Sequence, residues 1–115
     1  MQKDCIFCNI AEGKLPSGIV YKSNNIVAFR DTNPQAPVHM LIIPKKHISK
    51  ISDLNEEDAQ LVGEMVLVAN ELVKENNLTE DGYRLVFNCG EKAGQAVFHI
   101  HLHLLGGRDF NWPPG

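Results

Sequence analysis

The sequence predicts an α+β domain, an antiparallel sheet with its helices on one side, and three observations lead there. Five short apolar or alternating runs, each bounded by Pro, Gly, Asn or Asp, read as strands. A single long stretch carries the 3.6-residue period of a helix. The strands are neighbours along the chain with that helix inserted among them, an order that favours antiparallel pairing. At 115 residues there is room for one real core and not for two, so a single domain over residues 1–115 is expected.

Cys5 to Glu12 reads as a short helix, ended by Gly13 and kept from continuing by Pro16. Ile19 to Tyr21 and Ile26 to Arg30 form a hairpin pattern joined at Ser23-Asn24-Asn25, small polar residues that suit a turn. In Asp31 to Pro37 the prolines fix their own backbone and bias the preceding residues away from helix, which makes a loop. Val38 to Ile43 is almost continuously apolar and reads as a strand buried on both faces. Lys45-Lys46-His47 follows at its exit, where the lysines could attract phosphate but more often make a solvated pair.

The long helix is expected from Asn55 to Asn76. Asn55 is the N-cap, and Glu56, Glu57 and Asp58 sit at the positive end of the helix dipole. Leu61, Met65, Val68 and Leu72 make one stripe, widened by Val62, Val66, Ala69 and Val73, with Glu64 and Glu71 outside it. Asp81-Gly82 turns into a fourth strand, Tyr83 to Asn88. The glycine-bearing segment Cys89 to Gln95 leads to a fifth, Ala96 to Leu105, ended by Gly106-Gly107. Cys89 is expected inside. Trp112-Pro113-Pro114-Gly115 suits neither helix nor central strand, and its aromatic ring suggests docking on a partner.

A net charge of −3 gives no basic surface for nucleic acid, and no apolar run approaches the length of a membrane span. The N-terminus lacks a basic-then-apolar signal pattern, so the expected location is cytoplasmic. Three cysteines, Cys5, Cys8 and Cys89, make a disulfide framework unattractive and reduced thiols the expected state.

His99-Ile-His101-Leu-His103-Leu-Leu concentrates the chemistry. As an extended segment it puts three imidazoles on one face and Ile100, Leu102 and Leu104 on the other, with successive rings anchored about 6.6 Å apart. A single histidine would read as a hydrogen-bonded structural ring. Three on one face can converge on a phosphate or supply part of a metal shell, and a ring held in one tautomer by its neighbours can act as nucleophile or base. The Gly90 to Gln95 loop offers backbone N–H groups to hold anionic oxygens, with Asn88 beside them; an ordinary glycine turn accounts for it equally. Cys5-x-x-Cys8 has the spacing of half a tetrahedral metal site, or supplies small apolar contacts of the first helix.

These residues resemble the histidine triad (HIT) superfamily, whose motif alternates three histidines with apolar residues. Asp31-x-x-Pro34-Gln35-Ala36-Pro37-x-His39, Ile43-Pro44-Lys45-Lys46-His47, Gly94-Gln95, Gly106-Gly107-Arg108 and Trp112-Pro113-Pro114-Gly115 are similar to its Hint branch. The resemblance spans nearly the whole chain. It implies a five-stranded antiparallel sheet with one long and one short helix. It also implies a homodimer with a continuous ten-stranded sheet, in which the tail 106–115 contributes to the dimer and the site. The implied ligand is a purine nucleotide of AMP or GMP type.

Position by position, the resemblance makes His101 the nucleophile at the α-phosphorus of a nucleoside phosphoramidate or adenylate, with water then releasing the monophosphate. His103 would contact the phosphate, His99 would orient the nucleophile, and His39 would support the row from the neighbouring strand. Asp31 would meet the ribose, with Phe29 and Thr32 near the base. Asn88, Gly94 and Gln95 match phosphate-side contacts, and Trp112 would reach the partner's site. Members with the Cys pair resemble a zinc-binding subset, which implies Cys5, Cys8, His47 and His99 as four structural ligands, with no cofactor in the chemistry itself. Ala96 stands where many Hint proteins carry a serine, so a leaving amine would take its proton from a histidine or water. Dinucleoside polyphosphate hydrolysis, nucleotidyl transfer and a nucleotide-binding regulatory role are the alternatives from the same residues.

Overall fold

The structure is a computed structural model and describes residues 4–15 and 17–115; the expectation for Pro16 lies outside them. Helix α1 spans Ile6–Ala11, with Cys5 as its N-cap, and strands β1 (Ile19–Lys22) and β2 (Ile26–Arg30) follow. Ser23 makes their turn, its N–H donating to the Ile26 carbonyl at 2.8 Å while its Oγ accepts from the Ile26 N–H at 3.2 Å. Strand β3 (Val38–Pro44) is buried along nearly its whole length, as its unbroken apolar run requires.

A single 3-10 turn, Glu56–Asp58, opens the long helix α2, Ala59–Glu75. The Asn55 N–H donates to the Asp58 carboxylate at 3.2 Å, and Lys46 donates to the same carboxylate at 2.7 Å. Lys46 is thus not a freely solvated lysine: it ties the exit of β3 to the start of α2. Met65, Val68, Ala69, Leu72 and Val73 are buried, whereas Val66 turns out to the surface, so the apolar stripe is narrower on that side than its sequence suggests.

Strands β4 (Tyr83–Val86) and β5 (Leu102–Gly106) complete a five-stranded sheet of order β1-β2-β3-β5-β4, antiparallel throughout. Register places Ala28, Ile42 and Leu102 in one row and Phe29, Leu41 and His103 in the next. Strand side chains alternate, so these rows face opposite ways.

The two faces are covered differently, which corrects the expectation of helices on one side. Ile26, Ala28, Met40, Ile42, Leu102 and Leu104 pack against α2 in the larger core. Val27, Phe29, Leu41 and Ile43 face the other way and take Phe7, Ile10 and Ala11 of α1. Full burial of a Leu or Ile gains about 1.5–3 kcal/mol over leaving it exposed, so the α2 face holds most of the apolar stabilisation. A six-residue helix can cover only part of its face.

The last strand also starts later than expected. His99, Ile100 and His101 alternate in and out as strand residues would, with Ile100 in the larger core, but pairing with β3 begins only at Leu102. The reason is a competing bond: the Ile100 N–H donates to the Ile48 carbonyl at 2.8 Å. Cys89 is exposed rather than interior, its thiol near Ser52 at 3.7 Å. No helix among the described residues is long and apolar enough to cross a membrane.

Candidate active site

Beside α1, on the sheet face it leaves partly open, lies a slot of about 600 Å³. Ile6, Phe7 and Ile10 form one wall, Phe29 and Leu41 the floor, and His101 and His103 one end with Gly94, Ala96 and Val97. Asp31 and Thr32 stand at the rim with Arg30. A largely apolar slot ending in a few polar groups is the usual form of a small-molecule site. Ser17 also lines it, with a solvent-shielded hydroxyl that has no hydrogen-bond partner among the described residues.

Nδ1 of His39, His101 and His103 each has a hydrogen-bond partner, and the partners fix the tautomers. His101 Nδ1 is 2.8 Å from the His99 carbonyl, which only accepts, so Nδ1 carries the proton and Nε2 keeps its lone pair. His39 Nδ1 accepts from the Gln35 N–H at 3.0 Å, which leaves the proton on Nε2. That Nε2 donates to His103 Nδ1 at 2.9 Å, so the His103 proton lies on Nε2. The Asp31 carboxylate is 3.4 Å from His39 Nε2 and accepts from the Asn33 N–H at 2.8 Å. Among the rings lining the slot, His101 therefore offers a lone pair and His103 an N–H.

Burial sets the charge of these rings. Desolvation pushes His103 down to about 4, with His101 and His39 adding smaller pushes, and it lowers His101 and His39 from the ordinary imidazole value. Asp31 pulls His39 and His101 the other way without overcoming burial. Around neutral pH His103 is thus uncharged, and a ring in the state of His101, with a free lone pair, is a nucleophile.

A second cluster sits behind α1. Cys8 Sγ is 3.3 Å from His47 Nδ1 and 3.5 Å from His99 Nδ1, and Cys5 Sγ is 3.4 Å from His99 Nδ1. The four donor atoms all lie within 4.8 Å of one another. Bonds of about 2.3 Å to sulfur and 2.0 Å to nitrogen at tetrahedral angles set S···N separations of about 3.5 Å, so this donor set fits a tetrahedral metal. His99 Nε2 donates to the Pro44 carbonyl at 2.7 Å, which turns the Nδ1 lone pair toward the sulfurs.

Asp31, His39 and His103 also bring three donor atoms close together. They do not make a metal site, because the Gln35 N–H occupies the lone pair of His39 Nδ1 and obliges Nε2 to keep its proton.

The residues expected at the site differ in where the structure puts them. His101, His103, Asp31, Thr32, Phe29 and Gly94 line the slot, and His39 stands directly behind His103. Asn88 lies beside Gly94, whose left-handed backbone (φ +96°) favours glycine there. Gln95 is not among the lining residues. Its Oε1 accepts from the Gly90 N–H at 2.8 Å and its Nε2 donates to the Ser49 and Val97 carbonyls at 2.8 and 3.1 Å, so its side chain braces the loop. The N–H groups of Gly90, Ala93, Gly94 and Gln95 are likewise taken up within that loop, so these four do not form the expected row of anion donors. Trp112 is 83% exposed and far from burial in this chain. The wall residues Ile6, Phe7 and Ile10 were not expected at the site; their i, i+1, i+4 spacing is a signal, but it reads equally as a helix packing face.

Fold and slot together define a small α+β protein with a neutral, tautomer-fixed histidine row at the end of an apolar groove. Comparison with known proteins carries this to a family. The family model described as "Scavenger mRNA decapping enzyme C-term binding" matches residues 4–110. An uncharacterized HIT-like protein of Synechocystis is 48% identical over the full length of both chains. A HIT family hydrolase from Legionella pneumophila superposes with a TM-score of 0.96 at 54% identity, covering 97% of this chain and 100% of its own. A histidine triad nucleotide-binding protein from Candida albicans gives a TM-score of 0.82 at 31% identity, over 97% and 85% of the two chains. The chain belongs to the HIT family.

Proposed function

We propose that this chain hydrolyses purine nucleoside phosphoramidates or related adenylates through a covalent nucleotidyl-His101 intermediate. The observation that carries the reading is the His101 tautomer: Nδ1–H donates to the His99 carbonyl and leaves the Nε2 lone pair for the slot. Nε2 attacks the α-phosphorus, the P–N bond breaks, and the bonding pair leaves with the amine, which takes a proton from the His103 Nε2–H or from water. Water then attacks phosphorus and gives up one proton, which replaces the proton taken by the amine; the P–Nε2 bond breaks, and the monophosphate departs with His101 and His103 restored. His39 keeps His103 in its donor tautomer, and His99 orients His101 through its carbonyl.

The apolar floor and wall, Phe29, Leu41, Phe7 and Ile10, suit a flat base, and the Asp31 carboxylate suits a ribose hydroxyl, with Thr32 beside it. Asn88 and Gly94 belong to the phosphate side. The Candida albicans protein is named for nucleotide binding and the Legionella pneumophila protein for hydrolysis, which supports both halves of the reading.

Cys5, Cys8, His47 and His99 hold zinc in this proposal. Bound there with four protein ligands, zinc has no open position for water and serves to fix structure. Thiolate ligands suit the reducing cytoplasm. The chain works as a homodimer whose two sheets join into one of ten strands. The exposure of Trp112 supports a tail that reaches the partner's site, as the Hint branch implies.

Ala96 favours a second reading. It lines the slot beside Val97 and has no hydroxyl to protonate a leaving amine. Substrates with acidic leaving groups, such as dinucleoside polyphosphates or mixed anhydrides, need no such proton.

The decisive experiment incubates wild type and His101→Ala with an adenosine phosphoramidate, quenches in acid and weighs the protein. A nucleotidyl adduct on wild type alone is expected; an equal adduct on the variant removes His101 as nucleophile. Parallel rates with a diadenosine polyphosphate decide between the two leaving groups, and nucleotide binding with no turnover of either would favour a regulatory role.

A further inference from the structure

Helix α1 belongs to both clusters at once. Its N-terminal end carries Cys5 and Cys8 against His47 and His99, and the adjoining residues Ile6, Phe7 and Ile10 are the slot wall. Six residues are too few for a helix to persist unaided, because nucleation outweighs the few hydrogen bonds gained. The wall therefore stands only because its ends are tied down. Apolar contact of Phe7, Ile10 and Ala11 with the sheet is one tie, and the Cys/His cluster is the other.

Phe7, between the two cysteines in sequence, joins the clusters in space. Its ring meets His101 edge-to-face at 5.0 Å and 85°, His99 at 6.0 Å and 74°, and Phe29 at 5.4 Å and 69°. It is 6% exposed, so it cannot shift without moving the nucleophile or the floor.

We propose that metal loading at Cys5, Cys8, His47 and His99 sets the affinity of the slot for nucleotide, with Phe7 as the positioning residue that couples the two sites. The metal holds the helix, the helix holds the wall, and the wall holds the base. Since coupling between two binding sites is reciprocal, nucleotide tightens metal binding by the same factor that metal tightens nucleotide binding. This inference rests on the nucleotide reading of the slot.

The test uses adenosine monophosphate and zinc on the full chain. Titration calorimetry measures AMP affinity on zinc-loaded and chelator-stripped protein, and competition with a chromophoric chelator measures zinc affinity with and without saturating AMP. The expected result is a loss of about tenfold in AMP affinity on stripping and a matching gain in zinc affinity with AMP, within the usual range of coupled sites. Phe7→Leu, which keeps an apolar side chain, is expected to bind zinc as before while AMP affinity becomes independent of zinc; persistence of the full linkage there would overturn the role of Phe7. Equal AMP affinity with and without zinc in folded protein would overturn the coupling and leave the nucleotide reading intact. Failure of AMP to bind the zinc-loaded chain would overturn both. If stripping unfolds the chain, Cys5→Ser replaces it: with one ligand fewer it is expected to bind zinc more weakly, and AMP affinity equal to wild type at a zinc concentration that loads wild type and, by metal analysis, leaves the folded variant empty counts against the coupling.

Discussion

Cys5, Cys8, His47 and His99 on one side of α1, and Asp31, His39, His101 and His103 on the other, use the same rings with their nitrogens assigned in different ways. In the first cluster His99 donates its Nε2–H to the Pro44 carbonyl and turns the Nδ1 lone pair toward two sulfurs. In the second, a backbone N–H from Gln35 enters His39 Nδ1 and sends a proton outward through His39 and His103 toward the slot. One carbonyl or one N–H decides whether a ring presents a lone pair or a proton. Proximity of donor atoms is common to both clusters, and so does not by itself distinguish a metal site from a hydrogen-bond relay.

The largest effect that would break this contrast is at His101. His101→Ala is expected to reduce phosphoramidate turnover by roughly 10³-fold or more while zinc content, by metal analysis, stays at the wild-type level. His47→Ala should do the reverse in kind. Zinc content falls, and the thermal midpoint drops by an amount that grows with free zinc, about 4 kcal/mol of stabilisation being lost at a concentration a thousandfold above Kd.

His39→Ala tests the relay more finely. His103 loses the donor that fixes its tautomer, and turnover should fall by about 10- to 100-fold, within the range of proton-transfer contributions, with no change in bound metal. Turnover at the wild-type rate would show that the His39 proton has no part in the chemistry.

Acid provides a smaller perturbation. The unfolded His103 ring takes a proton near its ordinary value of 6.5, while the folded ring resists until about 4. Between those values the unfolded state binds more protons, so stability rises with pH there: it is complete above 6.5 and declines as the pH falls toward 4. Urea midpoints at several pH values, compared with His103→Gln, should show this decline in wild type and a shallower one in the variant. Cys89→Ser should have the least effect, within about 0.5 kcal/mol in stability and with both clusters intact, because the thiol is exposed and outside both.

Much of the architecture was legible in the sequence because the relevant signals are periodic. The apolar runs at Ile26–Phe29 and Val38–Ile43, bounded by turn residues and prolines, mark strands, and the stripe through Met65, Val68 and Leu72 marks α2. The four Cys and His donors expected together do meet. The side of the sheet taken by α1 was not legible, because six residues hold fewer than two turns and show no full period. The late start of β5 was hidden for another reason: alternation reports where side chains point, and His99 to His101 alternate while the Ile100 N–H bonds outside the sheet. The resemblance put Gln95 on the phosphate side through Gly94-Gln95, whereas no sequence signal told of the three backbone groups its side chain bonds in the loop. Tautomers lie beyond any sequence signal, since they depend on carbonyls and N–H groups that every residue carries.

The unequal covering of the two sheet faces has a consequence for how such a protein can change. Stability resides mainly on the α2 side, in residues such as Ile42, Met65, Leu72 and Leu104 that are almost wholly enclosed. The outer wall of the slot is built from Ile6 and Leu15, half and two-fifths open to solvent at 50% and 39%. Substitutions there disturb little packing, so the lineage can explore new ligands at the rim of α1 while the sheet, the histidine row and the α2 core stay as they are. The slot and most of the apolar packing thereby belong to opposite faces of one sheet.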